Sequence, residues 1–246
     1  MKSLVWLVRL PSSMNILVTG ATGFVGQHLC RRLSELGFRV RTLLHTVKQS
    51  EIFPAELELT HFSGDLLDAP SLETACANTD ILVHLGGVAH VDNLSEKILQ
   101  EINVEGTRNI LQVAIRNNVS RIIFMSSSLA SATEKGELKS TEYGCSKSAA
   151  EGLVHAAHQR EEIDGVVLRP VNVYGIGMKG NIASMIALIG KGQLPPLPKV
   201  ETQISLVGID DLIQAVVLAV TKSEAVGRTY YVTDGIRYSI AEIEEA

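Results

Sequence analysis

Short apolar runs alternate with longer amphipathic stretches along this chain. Residues 15–19 form an apolar run of strand length, and residues 24–36 carry apolar positions at helical spacing up to Gly37, a suitable C-cap. Residues 38–44 (F-R-V-R-T-L-L) alternate and predict a second strand. A third strand is expected at 57–62, followed by Gly64-Asp65-Leu66, and a short helix from Pro70 to Ala77. Ile81 to Leu85 reads as a buried strand ending at Gly86-Gly87. A long helical period covers 96–117, interrupted internally by Gly106 alone. Arg121 to Met125 is the next buried strand, with Ser126-Ser127-Ser128 at its carboxyl end. Residues 141–160 predict a helix, and Val166 to Leu168 a strand closed by Arg169-Pro170.

Beyond Gly175 the pattern changes. A helix is expected at 181–190, a Gly/Pro-rich loop at 190–198, a short strand at 204–207, a helix at 210–222 and a strand at 229–233. Asp234-Gly235 reads as a turn, and Ser239 with Glu242 as a capping box for a final helix that the sequence cuts short. Buried strands alternating with amphipathic helices predict an α/β chain with a doubly wound, mostly parallel, Rossmann-like sheet and a small C-terminal substrate-binding region. The expected organisation is a non-core extension at 1–13, a dinucleotide-binding domain at 14–173, and a substrate-binding region at 174–246 with elements returning to the main domain. Ligands in such sheets bind outside the carboxyl ends of the strands. The glycine turn at 20–26, Gly86-Gly87, the serine run and Arg169-Pro170 all fall there.

Composition narrows the possibilities. The 246 residues are 46% hydrophobic and 20% charged, which suits a globular chain. The formal net charge is −5 and no long Lys/Arg block occurs, which argues against nucleic acid as a partner. Cys30, Cys76 and Cys145 are widely spaced and match neither a disulfide framework nor a zinc site, so a reducing, cytoplasmic setting is expected. The seven histidines show no ligand spacing, and no metal is expected. The apolar run near the N-terminus is short and broken by Arg9, so stable membrane insertion and a signal peptide are not expected.

Two segments carry the candidate chemistry. In Gly20-Ala21-Thr22-Gly23-Phe24-Val25-Gly26, Gly20 allows a tight turn and Gly23 lets a pyrophosphate approach the helix N-terminus, while Gly26 lets strand and helix pack closely. Thr22 can add a hydroxyl. The stretch after the second strand lacks the acid that usually holds the ribose diol of NAD. Arg41, His45 and Lys48 can instead meet a 2′-phosphate, or form a solvated edge. This favours NADP for a freely exchanging cofactor and leaves tightly held NAD open. Asp65 can accept from adenine or cap a turn.

Tyr143 and Lys147 stand at i,i+4, so a helix presents both on one face. The ammonium and a nicotinamide cation would favour phenolate, making Tyr143 a general acid/base, with Lys147 also able to hold ribose hydroxyls. Ser127, or else Ser128, can hold the substrate oxygen. Asn103 is a polar amide inside a helical stretch, able to hold a water or backbone group near the lysine, or to sit at the surface. Glu142 reads as solvated, Cys145 as a packing residue, and His84 and His90 as structural.

Together these motifs resemble the extended short-chain dehydrogenase/reductase family, in particular its nucleotide-sugar 4-epimerases and 4-ketoreductases. The resemblance rests on T-G-A-T-G-F-V-G at 19–26, G-D-L at 64–66, H-L-G-G at 84–87, N-V-E-G-T at 103–107, the serine run, Y-G-C-S-K at 143–147, R-P-V-N-V-Y-G at 169–175 and V-G-I-D-D-L at 207–212. It implies a cofactor site of Gly20, Thr22, Gly23, Phe24, Val25, Gly26, Asp65, Leu66, Leu85, Gly86 and Gly87, with Pro170 and Val173 beside the nicotinamide. It also implies Ser127, Tyr143 and Lys147 as the catalytic trio, Asn103 as the supporting asparagine, Asn181 at the substrate diphosphate, a lid at 174–205, and a homodimer packed through the 96–117 and tyrosine helices.

The chain departs from this pattern in three places. Ser127 and Tyr143 are only 16 positions apart, a shorter loop than is usual. Gln203-Ile204 stands where relatives commonly place a phosphate-binding arginine, which leaves Gln203 as the substrate-side residue and weakens the case for a diphosphate. The resemblance also implies further C-terminal residues, so part of the family's substrate domain is expected to lie beyond this sequence. The expected function is NAD(P)-dependent epimerisation or reduction at a secondary alcohol or ketone of a nucleotide-linked sugar. A lipid, sterol or other small carbonyl compound is the alternative substrate, and a catalytically silent dinucleotide-binding protein the alternative class. A dehydratase is disfavoured, because Ser128-Leu129 offers no Asp-Glu pair.

Overall fold

The computed structural model describes residues 14–88, 95–131, 141–178, 188, 203–239 and 242. The extension at 1–13, His90, Asn181 and most of the 181–198 stretch therefore lie outside the described residues.

Seven parallel strands form the main sheet in the order β3-β2-β1-β4-β5-β6-β9. They are β1 (Asn15–Thr19), β2 (Arg39–Leu44), β3 (Leu59–Ser63), β4 (Ile81–His84), β5 (Arg121–Met125), β6 (Asp164–Pro170) and β9 (Thr229–Val232). A smaller sheet, ordered β10-β8-β7, comprises β7 (Asn172–Tyr174), β8 (Gln203–Gly208) and β10 (Arg237–Ser239).

The alternation of side chains along each strand explains the two helix layers. Ile16, Val18, Ile81, Val83, Ile123, Met125, Val166 and Leu168 face one way, onto α1 (Phe24–Glu35) and α6 (Ile209–Thr221). Leu17, Leu82, Ile122, Phe124 and Val167 face the other way, onto α2 (Ala69–Cys76), α4 (Gly106–Arg116) and α5 (Glu142–Gln159). Thr19, His84 and Arg169 continue this second register, which turns their polar groups inward. The burial expected of continuous Ile/Val/Leu runs is met: Ile16, Leu17, Leu82, Ile122 and Phe124 are fully buried.

The structure differs from the sequence expectation at 96–117. One continuous α-helix is replaced by α3 (Glu96–Leu99), a π turn at Gln100–Glu105, and then α4. Asn103 lies in that π turn, and its amide bonds Val88 and Ser146 of neighbouring segments. Cys30 and Cys76 are buried, and none of the three cysteines forms a disulfide. Among the described residues no helix is long and apolar enough to cross a membrane, and no cluster of His, Cys, Asp or Glu is placed to hold a metal.

Candidate active site

The strand order reverses between β1 and β4, which opens a crevice at their carboxyl ends. The glycine turn lines one side of it. Gly20 has φ +67°, and a Cβ there would lie 2.8 Å from both Gly86 N and Leu85 C. A Cβ on Gly26 would meet the Gly20 carbonyl and stand 2.7 Å from Ala21 Cα. Exposed Gly23 is the N-cap of α1, with no side-chain cap and no acid in the first turn. The first amides of α1 thus point at an open, backbone-lined seat, which fits a dinucleotide pyrophosphate. Thr22, Phe24 and Val25 are half-buried around it; the Thr22 carbonyl accepts from Gln27 Nε2, and Phe24 packs edge-on against His28.

Gly20→Ala is expected to cost about 1–3 kcal/mol from backbone strain alone, before the clash with Gly86 is counted. Thermal denaturation and a fluorescence titration with NADH would register lower stability together with lost binding.

On the other side of the crevice, Gly86 N donates to Thr19 Oγ1 at 2.9 Å, and Leu85 packs into the core. The Leu66 side chain closes on Gly86 and Gly106. Gly87 approaches Asn103 so closely that a Cβ would lie 2.7 Å from its Oδ1. Asp65 is half-exposed after β3, its Oδ1 accepting from Leu67 N and its Oδ2 3.8 Å from His45 Nδ1. His45 and Lys48 are exposed beyond the carboxyl end of β2. Arg41 departs from the expectation that grouped it with them. It sits mid-strand, its guanidinium 4.3 Å from the Phe62 ring centroid and bonded to the Thr74 carbonyl at 3.2 Å, so packing against α2 holds it.

Tyr143 and Lys147 lie in the first half of α5, which Thr141 caps by accepting from Gly144 N. A Cβ on Gly144 would stand 2.6 Å from the Leu129 carbonyl, so the amino end of α5 abuts the turn that follows the serines. Ser127 and Ser128 are half-buried there; Ser127 Oγ accepts from Leu129 N, and Ser128 N donates to the Pro170 carbonyl. Lys147 is buried with Nζ 4.4 Å from the Phe124 ring centroid. Burial pushes its ammonium down to about 8, opposed by the Glu151 carboxylate. Burial likewise pushes the half-buried Tyr143 phenol up to about 12, opposite in direction to the lowering expected from the sequence. Desolvation of the phenolate sets this direction.

Asn103 is buried rather than at the surface. Its Oδ1 accepts from Val88 N at 2.8 Å, and its Nδ2 donates to the Val88 carbonyl at 3.1 Å and to Ser146 Oγ at 3.0 Å. Pro170 is buried and Val173 half-buried where β6 passes into β7. Gln203 is exposed at the start of β8.

Sequence reasoning missed the ion pair beneath this helix. Arg169 Nε and Nη2 donate to Glu151 at 2.9 and 2.5 Å, and Nη1 reaches Tyr231 Oη at 3.0 Å. Arg169 and Glu151 are only 4% and 2% exposed. A signal was present, since Glu151 continues the i,i+4 row of Tyr143 and Lys147.

The family model described as "NAD dependent epimerase/dehydratase family" matches residues 16–233. UDP-glucose 4-epimerase of Vibrio cholerae is 31% identical, over 96% of this chain and 74% of that protein. Mouse 3 beta-hydroxysteroid dehydrogenase type 7 is 30% identical, over 65% of this chain and 50% of that protein. An undecaprenol-linked N-acetylglucosaminyl 4-epimerase of Escherichia coli O157:H7 is 29% identical, over 73% and 55%. The chain thus spans about half the length of the latter two relatives. A UDP-galactose 4-epimerase crystal structure superposes with a TM-score of 0.79 at 23% identity, covering 94% of this chain and 81% of that one.

Proposed function

The chain belongs to the NAD dependent epimerase/dehydratase family, a family of NAD-dependent enzymes, and from that premise we propose that it is a nucleotide-sugar 4-epimerase or 4-ketoreductase. One observation carries this reading: the amino end of α5, bearing Tyr143, abuts the serine turn beside the glycine-lined crevice, with Lys147 buried one helical turn behind. Bound NAD(P) supplies hydride transfer at the substrate carbon. Tyr143 takes the proton of the substrate hydroxyl, or returns it to the ketone oxygen. Ser127 or Ser128 holds that oxygen, and the Lys147 charge offsets the cost of phenolate. Asn103 fixes the Gly86–Val88 turn against α5. Exposed His45 and Lys48 support NADP, while the family favours NAD, so both cofactors belong in the assay.

Incubation with UDP-glucose or UDP-N-acetylglucosamine and either cofactor, followed by NMR and absorbance, tests the reading. Sugar inversion without net absorbance change identifies an epimerase. Stoichiometric consumption of the reduced cofactor identifies a reductase. Cofactor binding without turnover of any sugar overturns both.

A second reading, a lipid-bearing carbonyl or sugar substrate, has its own support. No cation occupies Gln203 or Ile204. Tyr174, Ile176, Tyr231 and Ile236 are exposed near the carboxyl ends of the strands, with Ile176 at 90%. The steroid and undecaprenol relatives fit this chemistry. Turnover of a sterol or polyprenyl-linked substrate in detergent, with none of the free nucleotide sugar, would select it.

The acid–base pair also predicts a pH profile. Lys147 is held near 8 against an ordinary 10.5, so its charge is lost as pH rises through 8, and turnover is expected to fall there. Between those values the unfolded chain binds more protons than the folded one, so this group makes the fold more stable as pH rises. Turnover and melting temperature are therefore expected to diverge between pH 8 and 10.5, as parallel rate and denaturation series would show.

A further inference from the structure

A buried row of polar side chains runs beneath the crevice, and the chemistry above uses only its Asn103 end. Gly86 N lies 2.9 Å from Thr19 Oγ1, which is 2.6 Å from His84 Nδ1. His84 Nε2 is 3.0 Å from Thr107 Oγ1, which donates to the Asn103 carbonyl at 2.6 Å. Asn103 Nδ2 donates to Ser146 Oγ, which donates to the Tyr143 carbonyl at 2.9 Å. Thr19, His84, Thr107, Asn103 and Ser146 are each at most 2% exposed.

Hydrogen counting fixes the direction of the row. A carbonyl only accepts, so the Thr107 proton is committed to Asn103. His84 Nε2 must then carry a proton and donate it to Thr107. A neutral imidazole leaves Nδ1 as an acceptor for the Thr19 hydroxyl, whose lone pair receives the Gly86 amide. Every donor is matched once. A charged His84 would present a second donor to Thr19 and strand the Thr19 proton. Burial, assisted by the Lys147 charge, holds the imidazole down to about 3 and keeps it neutral.

The row starts one residue before the glycine turn and ends on the backbone of Tyr143. It joins β1, β4, the π turn with α4, and α5. Plain core satisfaction needs each group paired, but it does not need one directed path from the cofactor turn to the tyrosine.

We propose that Thr19, His84 and Thr107 are positioning residues, a directed hydrogen-bond row that sets the Tyr143 end of α5 relative to the dinucleotide turn through Asn103 and Ser146. This rests on the acid–base role given to Tyr143 above.

Thr107→Val removes the hydroxyl at constant shape, and Thr107→Ser keeps it. The substrate-free readout is hydrogen exchange with and without NADH. Wild type is expected to gain protection at both the glycine turn and the amino end of α5. Thr107→Val should gain it at the glycine turn alone, and Thr107→Ser should behave as wild type. With a turned-over substrate, Thr107→Val should lose roughly 10- to 100-fold in kcat with KM unchanged, and Thr107→Ser should recover most of it. If Thr107→Val fails to fold, Ser146→Ala cuts the same row at its far end and should give the same pattern.

Equal behaviour of the Val and Ser variants, whether both coupled or both uncoupled, overturns the proposal, because the hydroxyl would then carry nothing. A rise in KM at constant kcat overturns it as well. A wild-type chain that binds NADH and couples to α5, yet turns over no substrate, defeats the catalytic reading while leaving the row intact. A wild-type chain that binds no NADH or NADPH removes both.

Discussion

Tyr143→Phe is expected to lower kcat by about 10²- to 10⁴-fold, the usual contribution of a positioned general acid or base. The side chain is half-buried and phenylalanine keeps its shape, so fold and dinucleotide affinity should be retained. Removing a group that acts only in the transition state lowers kcat and kcat/KM together. Steady-state kinetics beside an NADH titration would measure both. Full turnover by the variant would remove the phenol from the mechanism. The high phenol pKa sharpens this expectation, because a group pushed up to about 12 is overwhelmingly protonated and ready to donate. Donation to a ketone oxygen is then the easier direction, and proton removal requires added positive charge nearby.

The second large effect concerns stability. Arg169→Met is expected to remove about 3–5 kcal/mol, because it strands the Glu151 carboxylate in the interior. Urea denaturation should show it directly, and thermal denaturation should show a fall in melting temperature of roughly 6–20 °C for a chain of this size. The combined replacement Glu151→Leu with Arg169→Met should recover much of that loss, since an apolar pair carries no desolvation cost. The ion pair also reaches the chemistry. With Arg169 gone, Glu151 faces Lys147 alone, and the ammonium should persist to higher pH. Glu151→Gln should act in the opposite direction and move the alkaline limb of the profile downward. Unchanged stability in Arg169→Met would show that water enters beside Glu151, contrary to its burial.

Some of this was legible in the sequence because the signals were local. Strands β1, β4 and β5 each carry three or four consecutive apolar residues with Gly or Ser just beyond, and Tyr143 and Lys147 announce their shared face by spacing. The turn at Gly20 was legible from the spacing of Gly20, Gly23 and Gly26 after an apolar run, and a Cβ at Gly20 would collide with Gly86 and Leu85. The 3₁₀ helix at Val47–Ile52 and strands β7 and β10 were not, since each is short and held by its neighbours. The π turn hid in a helical pattern because apolar spacing over six residues cannot separate the two windings. Partners separated along the chain were invisible for a different reason. Thr19 and His84 are 65 positions apart, and Arg169 and Glu151 are 18 apart, so only the sheet order brings them together. For Arg41, residue type pointed to phosphate, whereas the face of β2 it occupies directs it to Phe62.

The last parallel strand has a consequence for how the polypeptide is assembled. β9 pairs with β6, and the Val232 carbonyl receives Val171 N, while Asp234 N returns to the Leu206 carbonyl. Leu212, Ile213, Val216 and Val220 of α6 close the apolar face shared by α1, β5 and β6. A fragment ending at Tyr174 would contain every proposed proton-transfer group yet leave that face wet and β6 as a bare sheet edge. The chain up to residue 174 is therefore expected not to fold alone, and limited proteolysis after residue 174 should yield two pieces that hold together until denatured.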